Sequence, residues 1–271
     1  MFNDKPMTMS RVVRVTWDEW FSIQREKARQ RGYYFVEELG YWRDSDREVF
    51  VRRHHQLRIL YIHGLSSSGA SSTAETLRKS LHDDVVFSPD LPIDPCEALA
   101  MLQELVYKER IDLVIGTSMG GMFAQKLRGY HKILINPSFH VSRSMRRKLG
   151  SNEFFAPRKD GATHYEITEE LCDRYEALER DQFVDISDAE REITLGLFAT
   201  DDDVVDCSEE YCEHYTRYQN FEGGHRLSQD NIHLDLIPII EHFRAKSVRL
   251  EIAQRPTIIE QIRARLAKER S

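Results

Sequence analysis

The chain has 271 residues, 41% of them hydrophobic and 31% charged, which is enough to bury the core of an ordinary globular protein. Its 38 Lys and Arg residues against 45 Asp and Glu give a net charge of −7, which argues against a general nucleic-acid binder. No apolar run approaches the roughly 18 residues that span a bilayer, and Met1–Ser10 lacks the apolar core of a signal peptide. We therefore expect a soluble, cytoplasmic protein that does not associate with membranes.

The first 56 residues are predicted to form an N-terminal extension that packs on the rest of the chain. Thr16–Arg31 has the cap, the apolar spacing and the following glycine of a helix. Two β-rich stretches, Tyr33–Leu39 and Glu48–Arg53, are separated by the polar segment Arg43–Arg47, which predicts a hairpin or meander.

From residue 57 to residue 246, short apolar strands alternate with amphipathic helices. The predicted strands are Leu57–Ile62, Val85–Phe87, Ile111–Ile115, Lys132–Ile135, Ile193–Phe198 and Arg217–Asn220. The predicted helices are Ser72–His82, Pro95–Glu109, Met119–Gly129 and Ser228–Phe243. This alternation predicts an α/β fold with a mostly parallel central sheet covered by helices on both faces. A charged stretch at about 139–190 predicts a small helical cap, and residues 247–271 predict a C-terminal helix, Thr257–Arg270, that begins after Pro256.

The most specific motif is the Gly-x-Ser-x-Gly pentapeptide Gly116 to Gly120, which Gly121 follows. It lies between the apolar strand IDLVI and the helical segment MFAQKLRG, the context in which such a motif forms a nucleophile elbow. Glycine on both sides permits a tight turn that exposes Ser118 beside the amino end of a helix. The alternative is that the glycines serve packing alone and that Ser118 is a helix N-cap.

A second motif follows the first predicted parallel strand. His63, Gly64 and Leu65 precede the small-residue loop Ser66–Ser72, and such a His-Gly turn lets a backbone N–H face the oxygen of a tetrahedral intermediate. We expect the amides of Leu65 and Met119 to form an oxyanion hole. His63 itself is expected to hold the loop rather than to act as a base, and the ending that a phosphate-binding loop requires is missing.

Acid and base candidates follow later strands. Asp201, Asp202 and Asp203 come directly after the strand Ile193–Phe198, and the spacing Asp-x-Val-Val favours Asp202 with Asp203 as the alternative. His225 lies in the glycine-rich turn FEGGHR, which can carry it over the end of the sheet. Nucleophile, acid and base thus occur in the order that α/β-hydrolases use.

These residues resemble the α/β-hydrolase superfamily, and within it the small bacterial YqiA/YcfP-like esterases. The resemblance covers roughly Leu57 to Phe243 and is carried by LRILYIHGLSSSGASS, IGTSMGGMFAQKL, ILINPSFH, FATDDDVVD and FEGGHRL. It implies Ser118 as nucleophile, Asp202 as acid and His225 as base, and a turn at Asn136 that shapes the floor of the site. The family usually has glycine where this chain has Asp201, so the acid stays ambiguous among the three aspartates.

The expected activity is hydrolysis of a small acyl ester through an acyl-enzyme, with neither a metal nor an organic cofactor. A thioesterase, peptidase or acyltransferase with the same triad is an alternative, as is a non-catalytic binding module on a hydrolase fold. The four cysteines predict neither a disulfide framework nor a metal site. The basic runs Arg143–Lys148 and Arg52–Arg58 are expected to be solvated faces rather than anion sites. The terminal extensions are the candidate surface for a homodimer.

Overall fold

The computed structural model describes residues 56–244 and the backbone of three short strands at 33–36, 41–44 and 48–49. The chain divides into two units, one formed by residues 56–244 and the other by residues 1–55 with 245–271. The predicted helices Thr16–Arg31 and Thr257–Arg270 lie outside the described residues.

The three short strands form an antiparallel sheet in the order β1 (Tyr33–Val36), β2 (Tyr41–Asp44), β3 (Glu48–Val49). The polar segment that we expected to separate two strands, Arg43–Arg47, therefore begins inside the central strand. Tyr41 and Trp42 explain the difference, because aromatic residues favour extended backbone and extend the pairing into the polar segment. The result is a meander rather than a two-stranded hairpin.

The unit of residues 56–244 is built on a parallel sheet of six strands. These are β4 (Arg58–Ile62), β5 (Val85–Phe87), β6 (Leu113–Thr117), β7 (His131–Ile135), β10 (Thr194–Ala199) and β11 (Tyr218–Phe221). Their order across the sheet is β5-β4-β6-β7-β10-β11, and every neighbouring pair is parallel. The chain first moves outward from β4 to β5 and then crosses back to β6. In such a sheet a crevice opens where the order reverses, at the carboxyl ends of β4 and β6.

Several helices of this unit begin directly after a residue whose side chain caps the first turn. They are α1 (Ser72–Ser80), α2 (Pro95–Lys108), α3 (Met119–Lys126), α4 (Val141–Arg146), α5 (Glu169–Glu179), α6 (Asp188–Glu192), α7 (Ser208–His214) and α8 (Gln229–Asn231). The side chain of Asp94 accepts from two amides of α2, whose first residue is Pro95. After α8 the chain continues through a π-helical turn, Ile232–Leu236, and remains helical to residue 244.

Alternate residues of the strands are buried in two separate hydrophobic cores. Leu60 and Ile62 face α2, α3 and α5, whereas Ile59 and Tyr61 face α1 and the last helix. This alternation follows from the twofold period of a strand and explains why the strands are almost uniformly apolar. The fold is the predicted α/β-hydrolase fold, with observed elements within a few residues of the predicted ones. No helix in the described part of the chain has the length and hydropathy needed to cross a membrane.

The inserted cap is mixed rather than helical, which corrects the prediction from sequence. Between α4 and α5 it contains an antiparallel hairpin of β8 (Gly150–Glu153) and β9 (His164–Ile167). The reason is visible in β9, where Tyr165 and Ile167 are buried and His164 and Glu166 are exposed. Glu179 of α5 accepts hydrogen bonds from the amide and hydroxyl of Ser142, at 2.8 and 2.6 Å, and so joins α5 to the start of α4.

A buried ion pair joins the cap to the sheet. The ammonium of Lys132 on β7 contacts the carboxylate of Glu190 on α6 and donates to the carbonyl of Leu127 at 2.6 Å. The second oxygen of Glu190 accepts from the amide of Gly129 at 2.9 Å. Burial lowers the pKa of Lys132 to about 8, although its hydrogen bond to Glu190 acts in the opposite direction.

Candidate active site

The strand β6 and the helix α3 meet in a strained turn at Ser118. Its backbone has φ 54° and ψ −120°, a conformation that costs a non-glycine residue about 1–3 kcal/mol. A Cβ on Gly116 would lie 2.2 Å from the carbonyl oxygen of Gly120, and one on Gly120 would lie 2.1 Å from that of Ile62. Both glycines are therefore required by close backbone approaches, as the sequence predicts.

Ser118 occupies the N-cap position of α3, but its side chain makes no capping hydrogen bond. Its backbone is fixed instead, because its N–H donates to the carbonyl of Ile135 and its carbonyl accepts from the amides of Gly121 and Ser138. The hydroxyl is therefore not used for capping, and Ser118 Oγ lies 3.0 Å from Nε2 of His225. The alternative in which this serine serves only as a cap is wrong.

His225 connects Ser118 to a carboxylate. Its Nδ1 lies 2.7 Å from Oδ2 of Asp202, and both side chains are largely buried, at 14% and 7% exposure. A carboxylate accepts from Nδ1–H, which leaves Nε2 without a proton and able to accept from the hydroxyl of Ser118. Ser118, His225 and Asp202 thus form one chain of hydrogen-bond contacts, which we call the relay.

The three consecutive aspartates are in different environments. The other carboxylate oxygen of Asp202, Oδ1, accepts from the amides of Val204 and Val205, each at 2.9 Å, which orients Oδ2 toward His225. Asp201 and Asp203 are exposed. The candidate that the sequence left as the alternative acid, Asp203, therefore does not contact the histidine, whereas the favoured Asp202 does.

The loop that begins with His63 and Gly64, here called the His-Gly loop, lies beside Ser118. A Cβ on Gly64 would lie only 3.3 Å from Cβ of Ser118. The amides predicted to form an oxyanion hole flank this contact, since Leu65 follows Gly64 and Met119 follows Ser118. Among the residues that the structure describes, neither amide donates a hydrogen bond in a loop or a turn.

His63 holds this loop and does not contact Ser118. Its Nδ1 donates to the carbonyl of Gly64 at 2.8 Å, and its Nε2 accepts from the amide of Leu91 at 3.3 Å. Burial lowers the pKa of His63, which keeps the ring neutral, as an Nε2 that accepts a hydrogen bond requires. The structural role expected from the sequence matches these contacts.

Asn136 contacts the turn that carries His225, which the sequence did not reveal. It follows β7 with φ 41°, and its buried amide donates to the carbonyl of His225 at 3.1 Å and to that of Gly224 at 3.4 Å. Its amide oxygen accepts from the N–H of Ala199 at 2.8 Å. The side chain therefore ties the turn that carries His225 to the ends of two strands. The resemblance implied only that this turn shapes the floor; the position of a polar residue directly after an apolar strand was the available signal.

Gly121 of α3 lies against the turn that contains Asn136 and Pro137. A Cβ on Gly121 would lie 2.7 Å from Cβ of Pro137, so this glycine lets α3 pack against the turn after β7. The third glycine of the motif is thus a packing residue.

The cap is joined to the His-Gly loop by several hydrogen bonds. The hydroxyl of Ser66 pairs with that of Tyr165 at 2.5 Å, and the carbonyl of Ser66 accepts from the amide of Phe155 at 2.7 Å. The carboxylate of Asp90 accepts from the amides of Gly69 and Lys159, each at 2.7 Å. The loop predicted to supply an oxyanion donor is therefore held from the cap side as well as from the sheet.

The basic run in the cap is partly neutralised. Arg146 pairs with Glu169, Asp173 and Glu176, and its hydrogen bonds with the last two raise its pKa. This agrees with the expectation of a solvated face. In the described part of the chain, no three His, Cys, Asp or Glu residues are arranged to hold a metal ion.

Several solved structures are similar to this chain. They include the esterase domain of a Rhodothermus marinus protein (17% identity, TM-score 0.48, covering 72% of this chain and 88% of that one) and Est1E from Butyrivibrio proteoclasticus (12%, 0.47, 83% and 100%). A structure from the metagenome-derived lipolytic enzymes LipS and LipT is also similar (14%, 0.48, 72% and 94%). At these identities and TM-scores the similarities carry no conclusion about substrate. Among curated proteins, none matches the chain.

A family profile matches residues 58–243, the same stretch in which the sequence resembles the YqiA/YcfP-like esterases, and confirms that resemblance. The matched stretch contains the whole sheet, the cap and every residue of the relay described above. The chain belongs to the family described as Uncharacterised protein family (UPF0227).

Proposed function

We propose that the protein is a serine hydrolase that cleaves a small acyl ester through an acyl-enzyme. The observation that carries the proposal is the relay in which His225 contacts Ser118 at 3.0 Å and Asp202 at 2.7 Å. A hydroxyl alone is a weak nucleophile, and a histidine oriented by a buried carboxylate is the group that activates it.

In the first half of the reaction, Nε2 of His225 takes the proton of Ser118 as its oxygen attacks the carbonyl carbon of the ester. The imidazolium that forms is stabilised by Asp202 and then protonates the departing alcohol. The negative charge on the carbonyl oxygen is expected to rest on the amides of Leu65 and Met119, each of which is worth on the order of 100-fold or more in rate.

In the second half, water takes the place of the alcohol. His225 removes a proton from the water as its oxygen attacks the acyl carbon, and then returns a proton to Oγ of Ser118 as the acid leaves. The strained backbone of Ser118 supports this proposal, because such strain is retained where a side chain has to be presented to a substrate.

The test compares two adjacent aspartates that differ in their contacts. Asp202→Asn retains the shape of the side chain and loses the carboxylate that orients His225, so we expect kcat on 4-nitrophenyl acetate to fall by about 10⁴-fold. Asp203→Asn makes the same change of charge one residue away, on an exposed side chain, and is expected to change kcat less than threefold, since surface substitutions have small effects. Equal losses in the two variants would contradict the assignment of the acid.

Labelling with a fluorophosphonate separates the enzyme from a non-catalytic binding module. We expect the wild-type protein to be labelled at Ser118 and the Ser118→Ala variant to take up no label. A folded wild-type protein that is not labelled would favour the binding module. Parallel assays on a thioester and a peptide distinguish the esterase from the other acyl-transfer activities.

A further inference from the structure

The residue after His225 makes an unusual contact with the cap. The guanidinium of Arg226 stacks over the ring of Phe155, 4.9 Å from its centroid. Phe155 is 66% exposed, although an aromatic ring of this size is ordinarily largely buried. The pair is therefore at the surface of the molecule, with one member from each of two loops.

Each member of the pair is connected to the candidate active site. Arg226 follows the residue that contacts Ser118 through Nε2. The amide of Phe155 donates to the carbonyl of Ser66, which follows the predicted oxyanion donor Leu65. The stack thus joins the loop that carries His225 to the cap segment that is hydrogen-bonded to Ser66.

Among residues 56–244, no carboxylate pairs with Arg226. By contrast, Arg146 and Arg158 have acidic partners within 3 Å, and Arg158 also stacks on an aromatic ring, that of Phe154. The cation–π contact of Arg226 uses only the face of the guanidinium. Its N–H groups lie in the plane of the fork and remain available to two oxygens of a carboxylate or phosphate.

We propose that Arg226, held against Phe155, is an anion-binding subsite, so that the substrate is an ester that carries a carboxylate or a phosphate near the scissile bond. This inference rests on the proposed function, because it takes Ser118 as the reacting group. Stacking on the ring reduces the conformational freedom that a free arginine would lose on binding, and therefore favours binding of the anion.

The experiment uses ester pairs that differ in one anionic group. Mono-4-nitrophenyl glutarate and 4-nitrophenyl pentanoate place the carboxylate or its neutral counterpart on the acyl side. The pair 4-acetoxybenzoate and its methyl ester does so on the alcohol side, and 4-acetoxyphenyl phosphate with phenyl acetate tests a phosphate there. For each pair the measured quantity is the ratio of kcat/KM for the anionic ester to that for the neutral ester.

Arg226→Gln is expected to lower this ratio about tenfold for at least one pair, which identifies the anion and its side of the ester. Phe155→Leu leaves the charge and removes the ring, and is expected to lower the same ratio about threefold. The matched control is Arg110→Gln, an exposed arginine just before β6 and hence at the opposite end of the sheet from Ser118. Ratios in Arg226→Gln or Phe155→Leu that equal those of the control overturn the proposal.

Binding to the Ser118→Ala variant tests the subsite without turnover. Calorimetric titration with each anionic ester is expected to give a Kd that rises about tenfold when Arg226→Gln is added to Ser118→Ala. Failure of every protein to hydrolyse any ester would contradict the proposed function, whereas a Kd that does not depend on Arg226, or no binding at all, would contradict the subsite.

Discussion

Replacement of Asn136 tests whether the turn that carries His225 is positioned by this one side chain. In Asn136→Ala the N–H of Ala199 loses its acceptor, and the carbonyls of Gly224 and His225 lose their donor. An unsatisfied buried donor costs about 1–3 kcal/mol, and alanine in a left-handed conformation adds about 1 kcal/mol. We therefore expect the free energy of unfolding to fall by about 3 kcal/mol, measured by urea titration.

The effect on rate has a separate cause. The His225 turn would no longer be fixed to the sheet, and displacement of a reacting group by about 1 Å can lower the rate about 100-fold. Hydrolysis of 4-nitrophenyl acetate by Asn136→Ala is expected to show a loss of this size in kcat, in protein that remains folded at the temperature of the assay.

Asn136→Asp tests whether the amide N–H groups of this side chain are needed as donors. Aspartate retains an oxygen for the N–H of Ala199 and tolerates the φ of 41°, but it brings an acceptor to two carbonyls that need a donor. Because this carboxylate is buried against carbonyl oxygens, we expect kcat to stay low and the free energy of unfolding to fall at least as far as in Asn136→Ala. If Asn136→Asp has the kcat of the wild type, the amide donor does not position the histidine and the reasoning is refuted.

Three further predictions concern stability. Gly120→Ala places a methyl group 2.1 Å from the carbonyl oxygen of Ile62, a backbone atom, and is expected to lower the free energy of unfolding by about 3 kcal/mol; an unchanged urea midpoint would contradict the close approach. Glu190→Gln leaves the ammonium of Lys132 buried without a counter-charge and is expected to lower the free energy of unfolding by about 3–5 kcal/mol. The double variant Lys132→Met, Glu190→Leu should restore most of this loss. Equal instability of the single and double variants would argue against an uncompensated charge as the cause. Because burial lowers the pKa of His63 below 6.5, the unfolded chain binds a proton that the folded chain does not, and the free energy of unfolding should fall as the pH drops below about 6.5, by at most about 1.4 kcal/mol per pH unit. Urea titrations at several pH values between 5.0 and 7.5 should show that this contribution is missing from His63→Asn, and equal slopes in the two proteins would contradict it.

The sequence predicted those features whose signal is local. The parallel sheet follows from short apolar strands between capped helices, and the elbow follows from two glycines around Ser118 at a junction of strand and helix. Each of these features is determined within about ten consecutive residues, so no information about distant parts of the chain was needed.

The features that sequence reasoning missed depend on contacts between distant segments. The spacing Asp-x-Val-Val favoured Asp202 over Asp203, but it could not show which carboxylate contacts His225, because that contact joins two turns that are separate in sequence. The polar strand Gly150–Glu153 has little intrinsic preference for extended backbone and is formed by pairing with β9. The stack of Arg226 on Phe155 joins two loops that are far apart in sequence, and neither residue alone predicts it.

The hydrogen bonds between the cap and the His-Gly loop have a consequence for how this enzyme fold can change during evolution. The backbone of Phe155 and the hydroxyl of Tyr165 hold Ser66, which is one residue from a predicted oxyanion donor. A substitution in the cap that admits a different substrate would therefore also shift the loop that carries the proposed oxyanion donor. If that donor acts as proposed, substrate range and turnover are coupled, and exchange of the cap alone between relatives should transfer neither without compensating changes in the loop Leu65–Ser68.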